Sequence, residues 1–116
     1  MHVRCLLVDD NPDFIASAAR LLESQGVDIV GSANSSAEAI RLIDELEPDV
    51  VLVDIELGGE DGIELAWRIH AQRPASKVIL ISSYALDDVE ELVARGPISG
   101  FISKSELSAD AVAKIA

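Results

Sequence analysis

Five short apolar runs punctuate this chain, and a stretch of helical spacing follows each one. No other feature narrows the fold as much. The runs cover residues 3–8, Asp28–Ala33, 50–53, 77–81 and 101–103. Val50 to Val53 is continuously apolar, the pattern of a strand buried on both faces, whereas Asp28–Ala33 is more polar and suits a sheet edge. Residues 13–24 place Phe14, Ala18, Leu21 and Leu22 at helical spacing, and Gly26 supplies the stop. Ser36–Leu46 puts Ala39, Ile40 and Ile43 on one face, with Ser36 as the expected N-cap and Pro48 beyond the end. Residues 63–72 form a third helix closed by Pro74. Residues 86–95 form a fourth that opens on acids, as the helix dipole favours, and residues 107–116 begin a last one. This strict alternation predicts an α/β fold, a doubly wound five-stranded parallel sheet with helices on both faces.

Two of these strands end on carboxylates. "CLLVDD" finishes at Asp9 and Asp10, and "VVLVD" finishes at Asp54. In doubly wound sheets ligands sit beyond the carboxyl ends of the strands, so the three acids are expected to converge. Three neighbouring carboxylates repel one another unless a counter-charge offsets them. A hard divalent cation does so: Mg²⁺ takes oxygen ligands and keeps several waters. An ionised aspartate beside such a cation can attack phosphorus and become an acyl phosphate. The fourth strand runs into Ser82 and the fifth into Lys104, which adds a hydroxyl and an ammonium at the same edge.

Composition bounds the rest. A chain of 116 residues with 49% hydrophobic content supports one domain with a single core, and residues 1–116 are read as that domain. Twenty-one acids against nine bases give a net charge of -12, a surface that repels nucleic acid and anionic lipid. No apolar run approaches the roughly 20 residues that span a bilayer. The lone Cys5 lies in an apolar run and reads as a small core residue, and a cytoplasmic location is expected.

With those residues in place the sequence resembles the receiver domain of bacterial two-component response regulators, over essentially its whole length. The likeness rests on "VDD" at Asp9-Asp10, "VLVDIEL" around Asp54, "GIEL" from Gly62, "ISS" at Ser82 and "GFISK" ending at Lys104. It implies a flavodoxin-like (βα)5 three-layer sandwich with Asp54 as phosphoacceptor. Asp10 would ligate Mg²⁺ directly, Asp9 largely through water, and the backbone carbonyl of Glu56 would complete the protein's share, with Mn²⁺ as a substitute ion. Lys104 would pair with the phosphoryl group, while Ser82 and Phe101 would form the switch, and Glu56 and Tyr84 would flank the route of attacking water. The implied partners are a sensor histidine kinase or phosphotransfer protein, and a second copy on phosphorylation. Gly58 stands where the family commonly has proline, which implies a more mobile loop. Ser105 follows the lysine where proline is usual. The last helix is short for the family, so the chain is expected either to have been trimmed ahead of an output domain or to end early.

Other readings are weaker. An aspartate-nucleophile phosphatase shares the metal, aspartate and lysine logic, but it usually has an aspartate two residues after the nucleophile, where this chain has Glu56, and a cap domain. A phosphorylation-independent binding module does not require Asp9, Asp10, Asp54 and Lys104 together. A nucleotide-binding fold would place a Gly/Ser phosphate loop after the first strand. His2 and His70 have no metal pattern and read as surface residues. Trp67 reads as packing, Asp87, Asp88, Glu90 and Glu91 as a solvated helix start, and Asp61-Gly62 as turn chemistry.

Overall fold

The alternation of strand and helix is carried through in the computed structural model, which describes residues 3–83, 91, 96 and 98–115. Its elements are β1 (Arg4–Val8), α1 (Pro12–Ser24), β2 (Asp28–Ala33), α2 (Ser36–Leu46), β3 (Val50–Asp54), the two-residue strands β4 (Glu56–Leu57) and β5 (Glu60–Asp61), α3 (Gly62–Gln72), β6 (Lys77–Ser82), β7 (Ile98–Ser103), a 3₁₀ turn at Lys104–Glu106, and α4 (Ala109–Ile115). The main sheet has five parallel strands in the order β2-β1-β3-β6-β7. The chain thus passes from β1 to one side and returns to its other side with β3, so the order reverses at the β1/β3 pair. A crevice opens there at the carboxyl edge.

Period-two alternation divides the core into two layers. Leu6 and Val8 of β1, with Val51 and Val53 of β3, pack under Ala39 and Ile43 of α2 and Leu65, Ala66 and Ile69 of α3. Cys5 and Leu7, with Val50 and Leu52, face Ala18 and Leu22 of α1 and Val112 of α4. Both faces of β3 are therefore covered, and all five of its residues are buried.

Local chemistry sets the ends of the helices. Asn11 caps α1 with Pro12 at its first position, and Asp61 caps α3. Ser35, not Ser36, caps α2: its extended backbone lets Oγ accept from the N–H of Glu38, while Ser36 is the first helical residue and donates its own N–H to Glu60 Oε1 at 3.0 Å. The fifth main strand begins at Ile98, three residues earlier than expected. Gly100 interrupts its apolar pattern because Ile115 of α4 packs where a side chain would lie. The last helix begins at Ala109 rather than 107, after the 3₁₀ turn. The expected helix at 86–95 and Tyr84 lie outside the described residues, apart from Glu91.

The two glycines after β3 close a hairpin. Leu57 pairs with Glu60, leaving Gly58 and Gly59 as its loop at φ 52° and 88°, the positive values a two-residue type I′ turn imposes. This stretch is a short ladder, tied to the start of α2 through Glu60.

Candidate functional site

Each chemistry-bearing side chain enters the crevice from the end of a strand. Asp9 follows β1, Asp54 ends β3, Ser82 ends β6, and Lys104 follows β7. Asp9, Asp54 and Ser82 are buried, and Asp10 is exposed. Asp9, Asp10, Asp54, Glu56, Ser82 and Lys104 line one cleft, together with Asn11, Ser83 and the hairpin glycines.

The backbone fixes the two inner carboxylates. Asp9 Oδ1 accepts from the N–H of Asn11 at 2.9 Å, and Asp54 Oδ1 accepts from the N–H of Glu56 at 3.1 Å. Their other oxygens face Lys104, whose Nζ lies 2.7 Å from Asp9 Oδ2 and 3.3 Å from Asp54 Oδ2. Asp9 Oδ2 has no hydrogen-bond donor among the described residues apart from that ammonium. A third neighbour of the ammonium is aromatic: Nζ stands 4.2 Å from the centroid of the Phe14 ring.

Burial pushes the Asp54 carboxyl above its ordinary value of 3.8. The charge of Asp9 adds to this, against the lowering effect of the Glu56 N–H and of Lys104. For Lys104, burial works against the charge, but the hydrogen bond and field of Asp9, followed by those of Asp54, outweigh it and leave the ammonium above 10.5. Charge thus stabilises charge here, and one cation is shared between two acids, Asp9 and Asp54.

One oxygen each from Asp9, Asp10 and Asp54 lie within 4.8 Å of one another. Three carboxylate oxygens, one of them on an exposed residue that leaves room for water, form the donor set a hard divalent cation takes. Glu56, exposed, lies at the rim. Phe101 is half-buried on β7 and packs against the layer that holds α2 and α3.

Sequence reasoning placed Asp9, Asp10, Asp54, Ser82 and Lys104 at one edge, and the structure brings them together. It missed Asn11, which both caps α1 and holds Asp9, and Phe14 beneath Lys104. It also missed the steric role of Gly62, where a Cβ would overlap the carbonyl oxygen of Asp54. For Asn11 the signal was present, since Asn-Pro before an apolar-periodic stretch is a helix-start pattern. Trp67 is half exposed and its indole lies against Gly96.

Comparison with known proteins adds an independent line. Residues 5–116 match the family described as the response regulator receiver domain. The chain is 34% identical over 114 residues to the transcriptional regulatory protein LiaR of Bacillus subtilis, covering 95% of this chain and 54% of that one. It is 35% identical over 83 residues to a protein-glutamate methylesterase/protein-glutamine glutaminase of Hahella chejuensis, covering 72% of this chain and 24% of the relative. Among solved structures it superimposes with a TM-score of 0.83 on the signal receiver domain of the response regulator NarL from Mycobacterium tuberculosis, at 32% identity over 97% of this chain and 94% of that one. The chain spans about half the length of the first of these relatives and a quarter of the second. Among the described residues, no helix is long and apolar enough to cross a membrane.

Proposed function

The chain belongs to the response regulator receiver domains, phosphorylatable signalling domains, and from that premise we propose that Asp54 is its phosphoacceptor. The observation that carries this reading is the Lys104 ammonium set between Asp9 and Asp54 in a cleft that also holds Asp10. A carboxylate oxygen of Asp54 forms the new O–P bond. The P–N bond of a phosphohistidine donor, or the P–O bond of a small acyl phosphate, breaks, and the leaving group departs with the bonding pair.

Asp9, Asp10 and Asp54, with the backbone carbonyl of Glu56, would hold Mg²⁺ or Mn²⁺. Bound there, the ion offsets the negative charge of the phosphoryl oxygens. Lys104 pairs with one of those oxygens as a point charge, and the N–H of Glu56 keeps the nucleophile oriented. Ser82 donates its hydroxyl to the phosphoryl group, which biases the segment after β6, and Phe101 follows that shift in the packed layer. Glu56 and Tyr84 modulate the lifetime of the acyl phosphate.

In this reading residues 1–116 are one receiver domain, phosphorylated in the cytoplasm by a histidine kinase or phosphotransfer protein, and it controls an output domain or a second copy. Its chemistry is confined to gaining and losing the phosphoryl group. The family joins this unit to different outputs, as a transcriptional regulator and a methylesterase among the relatives illustrate.

Intact mass spectrometry tests the assignment. After incubation with Mg²⁺ and a small acyl phosphate, the wild type is expected to gain one phosphoryl group, and neither Asp54→Asn nor a metal-free sample gains any. An adduct of equal yield in Asp54→Asn would move the acceptor elsewhere.

A further inference from the structure

Phe14 belongs to a closed ring of contacts that packing alone does not require. Asn11 donates its N–H to Asp9 Oδ1 at 2.9 Å, and its own Oδ1 accepts from the N–H of Phe14 at 3.3 Å. The Phe14 ring lies 4.2 Å from Lys104 Nζ, and Nζ returns to Asp9 Oδ2 at 2.7 Å. The same cap that sets the position of Asp9 therefore sets the first turn of α1 and the ring that meets the lysine.

From this geometry, and resting on the role proposed for Asp54, we infer that Phe14 is a positioning residue whose ring face holds the Lys104 ammonium in place for the arriving phosphoryl group. Lys104 has to weaken its hold on Asp9 and Asp54 if it is to pair with a phosphoryl oxygen. A third carboxylate in the place of Phe14 would compete for the ammonium as strongly as Asp9 does. An aliphatic side chain would fill the space without attracting it. An aromatic face attracts a cation through its quadrupole yet offers neither net charge nor a lone pair to rival phosphate. The long, flexible stem of lysine makes such a guide useful, because it narrows the positions open to the ammonium while its anionic partner changes.

Packing makes a separate demand on Phe14, which also touches the core layer under α1. A series that changes the ring's electrons and not its shape separates the two roles. Phe14 is replaced by phenylalanines carrying increasing numbers of fluorines, beside Phe14→Tyr and Phe14→Leu. Initial rates of phosphorylation by a small acyl phosphate are read at saturating Mg²⁺, and the Lys104 side-chain proton shifts are read by NMR without phosphate. The rate is expected to fall stepwise with fluorination, to drop roughly three- to tenfold in Phe14→Leu, and to stay within about twofold of wild type in Phe14→Tyr. The upfield ring-current shift at Lys104 is expected in the wild type and lost in Phe14→Leu. A flat rate across the fluorinated series, or wild-type speed in Phe14→Leu, overturns the inference and leaves Asp54 as acceptor. A wild type that takes up no phosphate overturns the Asp54 reading itself, and the inference with it.

Discussion

Lys104 Nζ lies closer to Asp9 Oδ2, at 2.7 Å, than to Asp54 Oδ2, at 3.3 Å. The ammonium is thus bound most tightly to the innermost acid of the cleft, 1% exposed, and not to the proposed phosphoacceptor. Lys104 is a built-in counter-cation that compensates carboxylates a divalent ion would otherwise have to neutralise.

Removing that ammonium is expected to destabilise the metal-free protein and to matter much less when metal is present. Lys104→Met leaves Asp9 and Asp54 facing one another with little solvent, at a cost of about 1–3 kcal/mol. Saturating Mg²⁺ is expected to narrow the difference, because the variant lacks the ammonium that competes for Asp9 and Asp54, binds the ion more tightly and so gains more stability by mass action than the wild type. Thermal melts of wild type and Lys104→Met in EDTA and in Mg²⁺ read this directly. Equal melting temperatures in EDTA would show that the ammonium is not the compensating charge.

Gly62 guards the backbone on which Asp54 sits. Its N–H donates to the carbonyl of Ile55 at 2.9 Å, and a Cβ would overlap the carbonyl oxygen of Asp54. The obstacle is backbone at the end of a fully buried strand, not the tip of a flexible side chain. Gly62→Ala is expected to cost about 3 kcal/mol or more and to lower the phosphorylation rate of whatever protein remains folded. Chemical denaturation with a parallel phosphorylation assay checks both effects, and a fully stable, fully active variant would contradict the geometry.

Legibility in the sequence followed the length scale of each interaction. Residues 50–53 had to be a buried strand because no polar residue breaks them, and strand direction alone then sent Asp9, Asp54, Ser82 and Lys104 to one edge. Choices between neighbours were not legible. Ser35 and Ser36 are both good caps, and Glu60, which engages the Ser36 N–H from another element, is visible only in three dimensions. The fifth main strand looked three residues too short because Gly100 answers to Ile115, beyond the strand itself. Phe14 carried two meanings, a core position on a helix and a partner for Lys104, and helical spacing reveals only the first.

The hairpin after β3 makes a prediction that runs against the family's common proline. Gly58 sits at φ 52°, whereas a proline ring holds φ near -65°. Gly58→Pro is therefore expected to open the Leu57–Glu60 pairing and release the Glu60 carboxylate from the Ser36 N–H. Glu60→Gln retains an acceptor and is expected to be mild, while Glu60→Ala costs about 1 kcal/mol. Amide exchange at Ser36, compared across the three variants, reads the tether. Wild-type protection in Gly58→Pro would show that the hairpin tolerates the imino acid.

Cys5 supplies a probe of global opening that stays clear of the site. It is fully buried in β1 between β2 and β3, and burial pushes its thiol from 9.0 up to about 12. In the native protein it should resist alkylation at pH 8, so that labelling reports unfolding. The same shift sets a pH dependence. Above pH 9 the unfolded chain loses the thiol proton while the folded chain retains it, so the unfolded state binds fewer protons and stability falls with rising pH. The fall continues until the folded thiol ionises near 12, with a limiting slope on the order of 1 kcal/mol per pH unit. Below pH 9 this contribution is flat. Cys5→Val lacks it, so the stability difference between wild type and Cys5→Val, measured by urea denaturation from pH 8 to 10.5, is expected to shift in favour of the variant only above pH 9. Rapid labelling of the folded wild type at pH 8, or a difference that does not change with pH, would place the thiol nearer solvent than its strand allows.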